Sequence, residues 1–257
     1  MNNTENAENI VEIDSFSEAK PSSSSRPRKG IYLLPNILTT GALFGGFYAV
    51  LSGFSGNFEI AAIAIFVAMV FDGLDGRVAR MTNTQSDFGV QYDSLSDMVS
   101  FGIAPAIVVY GWGLTGLGKV GIAAAFVYAS CAALRLARFN VQSNVNSGKF
   151  FIGLPSPAAA ALIAGFVWSA YSLQPSWFIS AFTALLTAVA GLLMVSNFKY
   201  PSFKQIDLRG KVPFVVILSI VMSFVVITID PPRILLMLAL AYAFYAPVKL
   251  LWSKFRL

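Results

Sequence analysis

The stretch FDGLDGRVARMTNTQSDFGVQYDSLSD, residues 71–97, holds five aspartates and two arginines, and long apolar runs flank it on both sides. Asp72 and Asp75 are three residues apart at the end of the first run, and Gly89, Asp93 and Asp97 are spaced by four at the start of the second. On a helix turning about 100° per residue, Asp72, Asp75, Gly76, Ala79 and Arg80 share a sector roughly 140° wide. Spacing by four likewise puts Gly89, Asp93 and Asp97 on one face. A short connection makes neighbouring helices antiparallel, so the two are expected to pack as a pair with four carboxylates converging between them.

The rest of the chain says what surrounds that charge. Of its 257 residues 56% are hydrophobic and only 12% charged, where a soluble domain carries about a quarter charged residues. Eight apolar segments are read at 31–53, 58–80, 88–113, 119–138, 155–173, 176–196, 213–230 and 233–252. Each is long enough to span roughly 30 Å of hydrocarbon as a helix. Backbone polar groups have no partners in lipid, which demands helices rather than an open sheet. The expected fold is therefore all-α: a polytopic membrane helix bundle of about eight transmembrane helices, forming one domain over residues 30–257. Residues 1–29 read as a polar, disordered cytoplasmic tail, with five acids, a serine run and a basic end. The tail lacks the basic-then-apolar order of a cleaved signal peptide, and its basic end is expected against anionic lipid head groups.

Positive charge sets the orientation. With the tail in the cytoplasm and eight spans following, sixteen of the eighteen lysines and arginines fall inside, leaving only Lys119 and Arg233 outside. Merging any pair of spans spoils that alternation. An integral protein of the cytoplasmic (inner) membrane is expected, with both termini and the charged stretch on the cytoplasmic side. Cys131 is the single cysteine, so no disulfide forms within the chain, and the absence of histidine excludes histidine bases and ligands.

Acid–base chemistry must then rest on carboxylates. Beyond the tail only eight acids remain, five of them in the quoted stretch, and an ionisable residue in a membrane helix is a functional-site hypothesis by default. Four neighbouring carboxylates either take up protons or bind cations. An oxygen-only set without histidine or cysteine suits hard ions such as Mg²⁺, Mn²⁺ or Ca²⁺, and two such ions suit phosphoryl chemistry. Gly76 and Gly89 leave room for a ligand to approach the backbone, while Arg80 offers a forked donor to phosphate. Two other readings stand beside this one. The charges could be solvated helix-end pairs and caps, or the carboxylates of a cation or proton transporter, which explains the acids but not the glycines and arginine.

The stretch fits D-x-x-D-G-x-x-A-R-x8-G-x-x-x-D-x-x-x-D at Asp72, Asp75, Gly76, Ala79, Arg80, Gly89, Asp93 and Asp97. It thereby resembles the signature of the CDP-alcohol phosphatidyltransferase family, with no departure in identity or spacing. The resemblance implies transfer of a phosphatidyl-type group from a CDP-linked lipid to an alcohol, with release of CMP. It implies that Asp72, Asp75, Asp93 and Asp97 hold two divalent ions, Mg²⁺ or Mn²⁺, and that Asp97 also takes the proton of the attacking hydroxyl. Gly76, Ala79, Arg80 and Gly89 would line the donor site, with Ser86 from the same region. In PNILTT at the start of the first span, Asn36 and Thr39 resemble Pro-Asn segments of the family that approach the nucleotide; an ordinary proline-led helix start is an equal reading for Thr39.

Three further stretches resemble the serine-accepting branch of that family: DSLSDMVSFGIAPA at 93–106, ALRLARFNV at 133–141 and FIGLPSPAAAA at 151–161. The expected partners are CDP-diacylglycerol, L-serine and membrane lipids, with no nucleic acid, and the resemblance makes a homodimer the plausible assembly. Other branches, taking glycerol phosphate or inositol, remain the alternative. Arg135 and Arg138 end one apolar run three residues apart, and either could bind the serine carboxylate, with Asn140 nearby; the alternative is that both snorkel to lipid phosphates. The prolines of GLPSP are expected to end a loop and start a helix.

Overall fold

The computed structural model describes residues 33–82, 84, 86–142, 150–201 and 214–255; the expected polar tail lies outside them. Helices α1 (Leu33–Phe54) and α2 (Phe58–Thr82) are followed by one long helical segment, Asp87–Leu117. That segment comprises α3 (Asp87–Asp97), a π-helical turn Met98–Ile103, α4 (Ala104–Val109), a second π turn Tyr110–Leu114 and a 3₁₀ turn Thr115–Leu117. Then come α5 (Lys119–Gln142), α6 (Ser156–Ala170), α7 (Trp177–Val195), α8 (Phe214–Ile229) and α9 (Pro231–Phe255). Among the described residues, eight helical segments thus stand where eight apolar runs were read, with ends within four residues of those expected.

Five of them are long and apolar enough to cross a membrane: Leu33–Phe54, Asp87–Leu117, Lys119–Val141, Trp177–Val195 and Pro231–Leu250. They mark an integral membrane protein. The expected count of eight spans goes further than these five. Helix α6 has 15 residues, a rise of about 22 Å, α8 has 16, and α2 carries Glu59, Asp72 and Asp75.

The packing is that of a membrane bundle. Large apolar side chains such as Phe44, Phe126, Phe178 and Leu185 are exposed, whereas Ala42, Ala49, Ala61, Ala62 and Ala68 are buried. Lipid removes the hydrophobic drive between helices, so small residues that let backbones approach make the contacts. On α1, a Cβ at Gly45 would meet the Ala68 Cβ of α2 at 3.0 Å, and one at Gly46 would sit 2.6 Å from the Ser100 Cα. Close approach lets Ser96 and Ser100 donate to the Thr39 and Ala42 carbonyls of α1 at 3.1 and 2.9 Å. Gly46→Val is accordingly expected to destabilise the bundle by about 3 kcal/mol or more, the upper end of the overpacking range, read as a lowered unfolding temperature in detergent.

Two features were not legible beforehand. The π turns re-phase the third segment, the first beginning directly after Asp97; π bulges recur at functional sites. A short antiparallel pair, β1 (Phe150–Ile152) with β2 (Lys199–Pro201), ties the connection after α5 to that after α7, with Phe151 opposite Tyr200. Gly153 follows at φ +81°, where a side chain would collide with the Met194 carbonyl. The GLPSP prolines act as expected, Pro155 standing at the N-cap of α6 and Pro157 in its first turn.

Candidate functional site

The start of α1, the end of α2 and the start of α3 come together around one cavity at one end of the bundle, with α1 packed against both other helices; α2 and α3 do not pack along one another as the pair expected, and only their ends converge. Helix α3 is started there by Ser86, in extended conformation (φ −136°, ψ 152°), whose Oγ accepts from the Gly89 N–H at 3.0 Å. Serine serves this purpose because its oxygen satisfies one of the helix's orphan N–H groups. Its cap fixes where α3 begins, and hence where Asp93, two turns on, faces α2.

Ligand oxygens of Asp72, Asp75 and Asp93 come within 4.8 Å of one another. Asp75 is the buried one, 5% exposed. The Thr39 Oγ1 lies 2.6 Å from Asp75 Oδ2 and 3.1 Å from the Pro35 carbonyl. A hydroxyl has one proton to give, and at 2.6 Å from Asp75 Oδ2 Thr39 helps to orient that carboxylate. Three carboxylates converging with oxygen ligands alone can hold a hard divalent cation. Thr39→Val is expected to weaken divalent-cation binding about tenfold, the lower end of the loss on removing a group that orients a ligand, measured by Mn²⁺ titration of the purified protein.

Asp97, the fourth expected ligand, stands outside that triad. It is half-buried at the end of α3, in hydrogen-bonding contact with Asp72 and close to Asp93 and Arg135. Three of the four aspartates are therefore gathered as one oxygen cluster, and the last lies beside it, towards α5.

Against the triad lies a cavity of about 230 Å³. Asn36, Gly76, Ala79, Arg80, Ser86 and Gly89, six of the seven positions expected at the donor site, line it together with Asp75 and Asp93. The seventh, Thr39, sits behind Asp75 instead. A Cβ at Gly76 would point at the Arg80 guanidinium, 3.5 Å from Nη1, and one at Gly89 would lie 3.2 Å from Ser86 Oγ. Both glycines thus border space that a side chain would narrow. Thr84 also lines the cavity, its Oγ1 2.7 Å from that of Thr82; nothing in its spacing marked it.

The three residues expected near a carboxylate acceptor part company. Arg135 turns inward, its Nη1 donating to Ser156 Oγ at 2.7 Å, with Asp97 and Asp72 in electrostatic reach. Arg138 instead ties α5 to the end of α7, donating to the Val195 carbonyl at 3.2 Å and Asn197 Oδ1 at 2.8 Å. Asn140 pairs with Ser94 of α3, its Nδ2 3.0 Å from Ser94 Oγ.

Comparison with known proteins adds an independent line. The sequence profile of the CDP-alcohol phosphatidyltransferase family matches residues 32–195. A Methanocaldococcus jannaschii protein named CDP-diacylglycerol–serine O-phosphatidyltransferase is 42% identical over 185 residues, covering 72% of this chain and 81% of that protein. A Helicobacter pylori protein of the same name is 36% identical over 203 residues, 77% of this chain and 84% of its own length. The archaetidylserine synthase of Methanothermobacter thermautotrophicus is 35% identical over 170 residues, 65% and 69% of the two chains.

Proposed function

The chain belongs to the CDP-alcohol phosphatidyltransferase family, and from that premise we propose that it transfers the phosphatidyl group of CDP-diacylglycerol to the hydroxyl of L-serine, yielding phosphatidylserine and CMP. The observation that carries the reading is the carboxylate triad of Asp72, Asp75 and Asp93, two of which, Asp75 and Asp93, line a cavity that also presents Arg80. The names of the relatives supply the acceptor. A cation or proton transporter would account for the acids, but not for an arginine and two bare glycines on the same wall.

In the proposed reaction the acyl chains of the donor stay in the bilayer and its nucleotide enters the cavity. Arg80 pairs with the diphosphate, and Gly76 and Gly89 leave the backbone open to it. Asn36, Ala79 and Ser86 complete the wall, and Thr39 holds Asp75 in register. Asp72, Asp75 and Asp93, with Asp97 at their side, are the residues that would hold two ions of Mg²⁺ or Mn²⁺. When bound, such ions offset negative charge on the diphosphate and the departing CMP. Asp97 takes the proton from the serine hydroxyl as that oxygen attacks the lipid-side phosphorus. The new O–P bond forms while the bond from that phosphorus to the CMP oxygen breaks, and CMP leaves with the bonding electron pair. Arg135 is the residue for the serine carboxylate; Arg138 and Asn140 are assigned to holding α5 in place.

The assignment of residues 30–257 to one membrane-embedded catalytic domain of eight spans belongs to the same proposal. So does an inner-membrane location with both termini and the site in the cytoplasm, supported by sixteen of eighteen basic residues on that side. A homodimer is part of it as well. Protein purified into liposomes, given CDP-diacylglycerol, Mg²⁺ or Mn²⁺ and labelled serine, is expected to form phosphatidylserine. Product with glycerol phosphate or inositol and none with serine would move it to another branch, and ion flux without any CDP-lipid would favour the transporter.

A further inference from the structure

The π turn Met98–Ile103 begins on the residue after Asp97, and Pro105 explains why it forms. Pro105 stands four residues beyond Phe101, in the first turn of α4. Proline has no N–H to return to the carbonyl four residues back, and its ring crowds that carbonyl. The backbone widens instead, and the Ala104 N–H reaches the Val99 carbonyl, five residues back. The Phe101 carbonyl receives a donor from another helix: Tyr128 of α5, fully buried, gives it its hydroxyl at 3.0 Å. Both flanks of the turn are closely fitted. On the α1 side Ser100 donates to the Ala42 carbonyl at 2.9 Å, and Ser96, one turn earlier, to the Thr39 carbonyl at 3.1 Å. On the α5 side a Cβ at Gly102 would stand 3.2 Å from the Ala132 Cβ, and a Cβ at Gly191 of α7 would meet the Tyr128 Cα at 2.9 Å. Helix α7 therefore backs α5 at the residue that reaches into the turn.

We propose that Tyr128 is a positioning residue for Asp97: its hydroxyl, donated to the Phe101 carbonyl, holds the π turn that fixes the end of α3 and with it the direction in which Asp97 presents its carboxylate. The inference rests on the general-base reading of Asp97 above and adds a residue outside the eight-position signature. Ser96 and Ser100 dock this part of the chain on α1 carbonyls, and a helix end held along one side alone still rocks about that line of contact. Tyr128 supplies the second attachment, from α5. Proton transfer needs the base within hydrogen-bond reach of the hydroxyl, and a small misplacement from a distant change is felt in the rate. The donor cavity is held separately. Tyr92 of α3 is bonded to Thr40 of α1 at 2.8 Å, and Ser94 to Asn140 of α5 at 3.0 Å. The first two turns of α3, which line the cavity through Gly89, Val90 and Asp93, therefore keep their place when the π turn slackens.

The test uses the full chain in liposomes with CDP-diacylglycerol, a divalent ion and saturating labelled serine. Tyr128→Phe keeps the ring and removes only the hydroxyl, leaving a buried carbonyl short of its donor. The single-turnover rate is expected to fall about tenfold, with the CDP-diacylglycerol KM and the Mn²⁺ affinity within about twofold of wild type. In an Asp97→Asn background the same substitution is expected to change the residual rate by less than about twofold, because the base it positions is gone. A merely structural role would lower the rate by the same factor in both backgrounds and move the KM and the Mn²⁺ affinity with it. That pattern, or an unchanged rate in Tyr128→Phe, overturns the proposal. Should Tyr128→Phe fail to fold, Ser100→Ala, which loosens the same turn on its α1 side, carries the test, with the same split and the same non-additivity expected and the same results fatal. A wild-type protein that makes no phosphatidylserine would instead defeat the transfer reading, and an active Asp97→Asn the general-base reading, so the failures are distinguishable.

Discussion

Asp97→Asn is expected to lower serine-dependent CMP release by about 10³-fold, because an amide cannot take the proton of the attacking hydroxyl. The position of Asp97 makes it the residue to choose. It ends α3, immediately before a π turn, and stands outside the triad of Asp72, Asp75 and Asp93. On the proposed reading, Asp97 has Asp72 on one side and Arg135, assigned to the acceptor, on the other. Asparagine has nearly the same shape, so the variant is expected to keep the unfolding temperature of the wild type and to retain CDP-diacylglycerol binding. Single-turnover measurement with labelled serine reads the chemical step. A variant retaining a tenth of the wild-type rate would sink the general-base assignment.

Asp75→Asn is expected to be nearly as damaging, by a different route. Asp75 is the most buried of the three clustered carboxylates and the one Thr39 orients at 2.6 Å. The amide can still accept the Thr39 hydroxyl, so the fold is kept while one of three negative charges at the cluster is lost. Loss of a direct ligand is expected to exceed the 10–100-fold that loss of an orienting partner costs, about 10²-fold or more in divalent-ion affinity. Mn²⁺ titration of the purified variant measures this directly, and activity should be partly recovered at higher ion concentration. An unchanged Mn²⁺ affinity would remove Asp75 from the ligand set. Recovery separates this variant from Asp97→Asn, whose defect no ion concentration repairs.

The expected donor side was legible because its residues are local. Asp72 to Arg80 occupy about two and a half turns of one helix and Gly89 to Asp97 about as many of the next, so periodicity alone puts each group on one face. The connection is too short to leave the faces apart, and six of seven expected donor-site positions do line one cavity. Thr39 was named for its proximity to the nucleotide but serves behind Asp75, a role that depends on α1 packing against α2. Asp97 was placed with the other three, yet the structure sets it beside Asp72 and outside their triad.

The expected acceptor side was legible only as a pair of arginines. Arg135 and Arg138 are three residues apart, and spacing gave them the same direction. The structure separates them: Ser156 holds one inward, and Val195 with Asn197 draws the other to the end of α7. Ser156 is 21 residues from Arg135 along the chain, and no local pattern announces a contact of that range.

The sequence by itself determined the class of the protein, the positions of its helical segments and the faces that carry the aspartates. Those properties follow from hydropathy and from a fixed rise and turn per residue. Only the tertiary structure decided which arginine turns inward and which ties α5 to the end of α7, and it alone separated Asp97 from the triad. Those outcomes depend on how closely helices approach, through contacts such as Gly46 on Ser100 and the β1–β2 pairing, and close approach is a property of two surfaces together.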